Sequence, residues 1–64
     1  MADYTRTVKK VLSNNNCYFV RYGKGDHEIW FSPITGRNIV VDGSITKRSS
    51  AIKTLRKAGI KQSV

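Results

Sequence analysis

The chain has 64 residues, enough for one domain spanning 1–64 and no more. A domain this short buries only roughly 60% of the surface its unfolded chain exposes, which excludes a deep substrate cavity and leaves a loop or sheet edge for any active site. Lys and Arg number 12 against 4 acidic residues, a net charge of +8 that points to a polyanionic partner: nucleic acid, an anionic membrane or an acidic protein.

A single cysteine, Cys17, rules out an internal disulfide and reads as a small buried hydrophobe. A secreted domain of this size would need such staples, so the expected setting is the reducing cytoplasm. The N-terminus carries no apolar run that reads as a signal peptide or membrane span, and the protein is expected to be soluble.

Five segments follow in chain order. Tyr4, Val8, Val11 and Leu12 fall on one face of a helix over 4–13, with Asp3 as its cap and Asn14, Asn15 and Asn16 as its exit. Cys17 to Tyr22, rich in aromatic and β-branched residues, predicts a strand, and Gly23, Gly25 and Asp26 mark a turn. Tyr18, Phe19 and Tyr22 could stack bases, but strand aromatics in so small a domain are expected in the core. His27 to Phe31 reads as a second strand. Trp30 and Phe31 must face opposite ways, so one of these rings points outward. Asn38 to Asp42 gives a third strand, with Ile39 and Val41 on one face.

A polar connection over 43–48 leads to a closing helix with Ser49 or Ser50 as cap and Ala51, Ile52, Leu55 and Ala58 as its apolar side. Gly59 suits the position just past its end, where Ile60 can touch Leu55. The expected architecture is α+β in the order α-β-β-β-α: a three-stranded antiparallel sheet with both helices on one face. The other face is left for a partner.

Most site chemistries fail on residue supply. One His and one Cys cannot build a zinc site, four scattered acids do not form a two-metal cluster, and Gly23-x-Gly25 is too short for a phosphate loop. No metal or cofactor is therefore expected. What remains is Lys24-Gly25-Asp26-His27-Glu28, which sets an imidazole at a glycine-flanked strand entrance, where a substrate can approach closely. RNA supplies its own nucleophile, the 2′-hydroxyl, so a basic surface with one histidine is a minimal nuclease kit. The second proton-transfer group is open between Lys24, a tyrosine, Glu28 and water. An ordinary hairpin histidine is the alternative. Lys47 and Arg48, ahead of the closing helix, could grip phosphate with Lys53, Arg56 and Lys57, although a solvated helix face suits the last three nearly as well. Lys24 and Gly25 are the RNA-binding candidates of the loop.

Gly25-Asp26-His27-Glu28-Ile29-Trp30, then Ser32-Pro33-Ile34-Thr35-Gly36-Arg37, then Leu55-Arg56-Lys57-Ala58-Gly59-Ile60, together with the leading helix and the Arg21 strand, resemble the HicA family of mRNA interferase toxins. The resemblance spans nearly the whole chain and rests on the order and spacing of these pieces. It implies a fold like that of double-stranded-RNA-binding domains, ribosome-independent mRNA cleavage, and neutralisation by a HicB-type antitoxin. The family's functional histidine, in a Gly-Ser-His motif, falls on His27, with Asp26 where the family has serine. Val40-Val41-Asp42 lacks the Val-Pro and nearby histidine often found on the family's third strand. The expectation is a toxin of a type II toxin-antitoxin system, a metal-independent endoribonuclease with His27 as general acid or base. The rivals are a non-catalytic double-stranded-RNA-binding-like module and an interaction protein whose basic surface meets an acidic partner.

Overall fold

The computed structural model describes residues 3–62 and Val64. Its elements are α1 (Thr5–Asn14), β1 (Tyr18–Tyr22), β2 (Glu28–Ser32), β3 (Arg37–Val41) and α2 (Arg48–Lys57). The strands pair antiparallel with β2 in the centre, so the fold is α+β in the order α-β-β-β-α.

Apolar periodicity explains the layering. Val8, Val11 and Leu12 of α1 and Ala51 and Leu55 of α2 are buried against Trp30, Ile39 and Val41 from the sheet, with Ile45 from the β3–α2 connection between them. Full burial of a Leu or Val side chain contributes roughly 1.5–3 kcal/mol, so these few residues dominate the stability of so short a chain. Trp30 takes the inward side and Phe31 the outward one, which settles the choice that strand alternation leaves open.

Both helices end in the same backbone motif. Asn16, at φ 67°, follows α1, and its N–H and that of Cys17 donate to the carbonyls of Ser13 and Leu12. Gly59, at φ 81°, follows α2, where its N–H and that of Ile60 reach Arg56 and Leu55. In each case the left-handed residue lets the chain reverse and brings an apolar residue back onto the last turn.

The helix starts differ from expectation. Asp3 Oδ1 accepts from the Thr5 N–H at 3.0 Å, while the capping position itself is Tyr4. Neither Ser49 nor Ser50 caps α2: Arg48 already opens the helix behind an extended Lys47, with no side-chain cap bond. This earlier start lets the Ala51 N–H reach the Lys47 carbonyl while Ala51 is wholly buried.

A second correction concerns β1. Tyr18, Phe19 and Tyr22 are exposed, not core, because β1 is an edge strand. The pairing also slips between Phe19 and Arg21: Phe19 opposes Trp30, but Arg21 opposes Ile29. This bulge sends Phe19 and Tyr22 to the helix side and Arg21 to the helix-free side, a re-aiming that strict alternation would not give.

Candidate functional site

The candidate site forms where the β2–β3 ladder runs out. Glu28 opposes Val41, so the next rung outward sets His27 opposite Asp42. On its other flank His27 meets Gly23, whose N–H donates to the His27 carbonyl at 2.8 Å. A side chain at Gly23 would point at the Ile29 Cδ1 and the His27 Cβ, which places His27 on the face that no helix covers. The imidazole is half-exposed at 46%, with Nε2 3.2 Å from Asp42 Oδ1 and 4.0 Å from Asp26 Oδ1.

The loop that carries His27 is held by backbone shape. The His27 N–H donates to the Lys24 carbonyl at 3.2 Å across a turn in which Gly25 takes φ 66°. Its open surroundings let another molecule approach the main chain there. Behind the loop, Gly43 lies so close to Asp26 that a Cβ would come within 2.5 Å of the Asp26 carbonyl oxygen. Only glycine lets the chain leave β3 while the loop stays seated beside Asp42.

The structure thus joins Lys24, Gly25 and His27 in one loop and adds two residues that sequence reasoning did not select. Asp42 stands far from His27 in sequence, and its approach to the imidazole follows only from register. Arg21 pairs with Ile29 on the same face as His27, and only the unforeseen bulge directs it there. Glu28, a candidate for the second proton-transfer group, faces the helices instead. Its carboxylate accepts from Lys9 Nζ and from Trp30 Nε1, each at 2.9 Å, and these bonds hold its carboxyl below the usual glutamate range.

Lys47 and Arg48 belong to the same end of the molecule but not to the loop. β3 runs towards Asp42, and α2 then runs back until Ser32 Oγ donates to the Ala58 carbonyl at the far end of β2. The start of α2 therefore lies at the His27 end. Arg48 is partly engaged there, its Nε donating to the Val64 carbonyl at 2.6 Å.

Cys17 is buried. Among the described residues no group of three or more His, Cys, Asp or Glu is placed to hold a metal ion, and no helix is long and apolar enough to cross a membrane. No family model, curated protein or solved structure matches the chain.

Proposed function

We propose that the chain is a metal-independent endoribonuclease of the HicA type: a toxin that cleaves mRNA, inhibits translation and is restrained by a HicB-type antitoxin in the cytoplasm. The observation that carries this reading is the half-exposed imidazole of His27 set opposite Asp42 in a chain of net charge +8. Imidazole takes and returns protons near neutral pH, and a carboxylate beside one ring nitrogen fixes which nitrogen serves the substrate.

With Nε2 turned to Asp42, Nδ1 is the nitrogen that meets RNA. It takes the proton of a ribose 2′-hydroxyl, and the freed oxygen attacks the adjacent phosphorus as the bond from phosphorus to the next nucleotide's 5′-oxygen breaks. That oxygen leaves with a proton taken from water. The products are 2′,3′-cyclic phosphate and 5′-hydroxyl ends. Lys24, Arg21 and the exposed main chain at Gly25 hold the phosphate, and Lys47 and Arg48 extend the basic track.

The test compares wild type with His27→Ala for RNA cleavage in chelator and for growth on induction. Cleavage should fall at least a hundredfold and growth arrest should disappear. Undiminished cleavage by a folded His27→Ala protein removes the catalytic role. The α-β-β-β-α order also suits a non-catalytic double-stranded-RNA-binding-like module; strongly salt-dependent duplex binding without cleavage would select that reading.

A further inference from the structure

Both helices lie on one side of the sheet, and the other side carries side chains with nothing among the described residues packed above them. Along β2 that side shows Ile29 and Phe31, continued by His27 one rung beyond the strand. Alternate residues of a strand lie about 6.8 Å apart, so His27, Ile29 and Phe31 form one line about 14 Å long. Flanking strands widen it. Tyr18 sets its ring 5.5 Å from that of Phe31, tilted by 39°, and Val40 sits beside Ile29. Arg21 opposes Ile29 from β1, and Asn38 opposes Phe31 from β3. Tyr18, Val40, Arg21 and Asn38 are all exposed.

From this continuity we infer that the helix-free face of the sheet is a platform on which unpaired bases of single-stranded RNA stack as the strand enters the His27 site. The inference rests on the nuclease reading and names its substrate class. Charge selects the occupant. The chain carries +8, Arg21 and Lys24 flank the platform, and the carboxylates nearest to it, Asp42 and Asp26, stand at its His27 end beside the imidazole. A polyanion whose monomers each carry a flat aromatic face matches both the rings and the cations. A duplex keeps its bases stacked inside and offers mainly backbone, leaving Tyr18 and Phe31 without a role. The amide of Asn38, next to Phe31, is placed to bond a base edge. An exposed Tyr22 on the opposite side of the same strand supplies an internal control.

The experiment measures binding of a labelled single-stranded RNA of mixed sequence, 2′-O-methylated so that it lacks the attacking hydroxyl, and of the same strand annealed to its complement. Wild type should prefer the single strand. Tyr18→Ala should weaken that binding roughly five- to a hundredfold, the range for loss of one base–aromatic stack, while Tyr18→Phe restores it. Tyr22→Ala should change it less than twofold. Equal or tighter duplex binding, or equal effects of Tyr18→Ala and Tyr22→Ala, overturns the platform, as does a Tyr18→Ala defect seen only with a protein partner. Unmodified RNA separates the two proposals. Cleavage that needs His27 but ignores Tyr18 leaves the nuclease standing without the platform, and Tyr18-dependent binding without cleavage does the reverse.

Discussion

The two ends of β2 treat their polar groups in opposite ways. At the Ser32 end, the hydroxyl is wholly buried and donates at 2.6 Å to the Ala58 carbonyl, one of the groups a helix end leaves without a partner. Gly59 then turns tightly over Ile34 and Thr35, closing the sheet against α2. At the His27 end, the imidazole and the carboxylates of Asp26 and Asp42 all face solvent at ion-pair distances, and a bare glycine backbone stands beside them. Stability needs polar groups matched and hidden; binding and proton transfer need them matched but reachable. One five-residue strand thus has a closed end and an open end because its neighbours differ at the two.

The sharpest way to test that division is to alter each end and ask which property moves. Asp42→Asn should lower RNA cleavage by roughly ten- to a hundredfold, mainly in kcat, because it positions the imidazole; the thermal midpoint should barely change. Single-turnover cleavage and a melting curve on one preparation decide this, and a large loss of stability would break the contrast. At the closed end, Gly59→Ala forces a side chain into a φ of 81° and sets its Cβ 2.7 Å from Ile34 Cγ2. The cost should be about 2 kcal/mol, a fall of roughly 8–16 °C in melting temperature, with cleavage per folded molecule unchanged.

The smallest effect probes a side-chain anchor of the open end, the Lys9–Glu28–Trp30 bonds on its helix side. The folded carboxyl of Glu28 titrates below its unfolded value, so its contribution is complete above the ordinary glutamate pKa of about 4.3 and is lost as pH falls through the folded value. Wild type should therefore exceed Glu28→Gln in stability by about 0.5 kcal/mol at neutral pH. Melting curves between about pH 6 and pH 3 should show that gap closing on the acid side.

Sequence spacing sufficed for what depends on neighbours in the chain. Val8, Val11 and Leu12 mark the buried side of α1, Ile39 and Val41 that of β3, and Asn16 and Gly59 the helix exits, because each follows from a local period or a local backbone need. The position of His27 at a strand entrance was legible for the same reason. Asp42 was not, since its approach to His27 depends on which residues of β2 and β3 face each other. Arg21 was hidden by the bulge, which reverses the side that alternation assigns to it. The exposure of Tyr18, Phe19 and Tyr22 was hidden by the edge position of β1, which residue type alone does not reveal. The start of α2 was missed because the serines that resemble caps lie within the first turn of a helix whose position is set by burial of Ala51.

The bulge in β1 also bears on how this chain behaves in a crowd of its own copies. β1 is an outer strand whose free edge offers main-chain donors and acceptors, and four of its five residues are apolar or aromatic. Such an edge invites a second chain to add on and extend the sheet. The slip between Phe19 and Arg21 interrupts the straight row of those groups midway, and the guanidinium of Arg21 sits at the break. An incoming strand would lose its register after a pair or two of bonds and would also have to accommodate a charge. One extra residue in a short strand thus discourages sheet-to-sheet growth while leaving the aromatic rings uncovered.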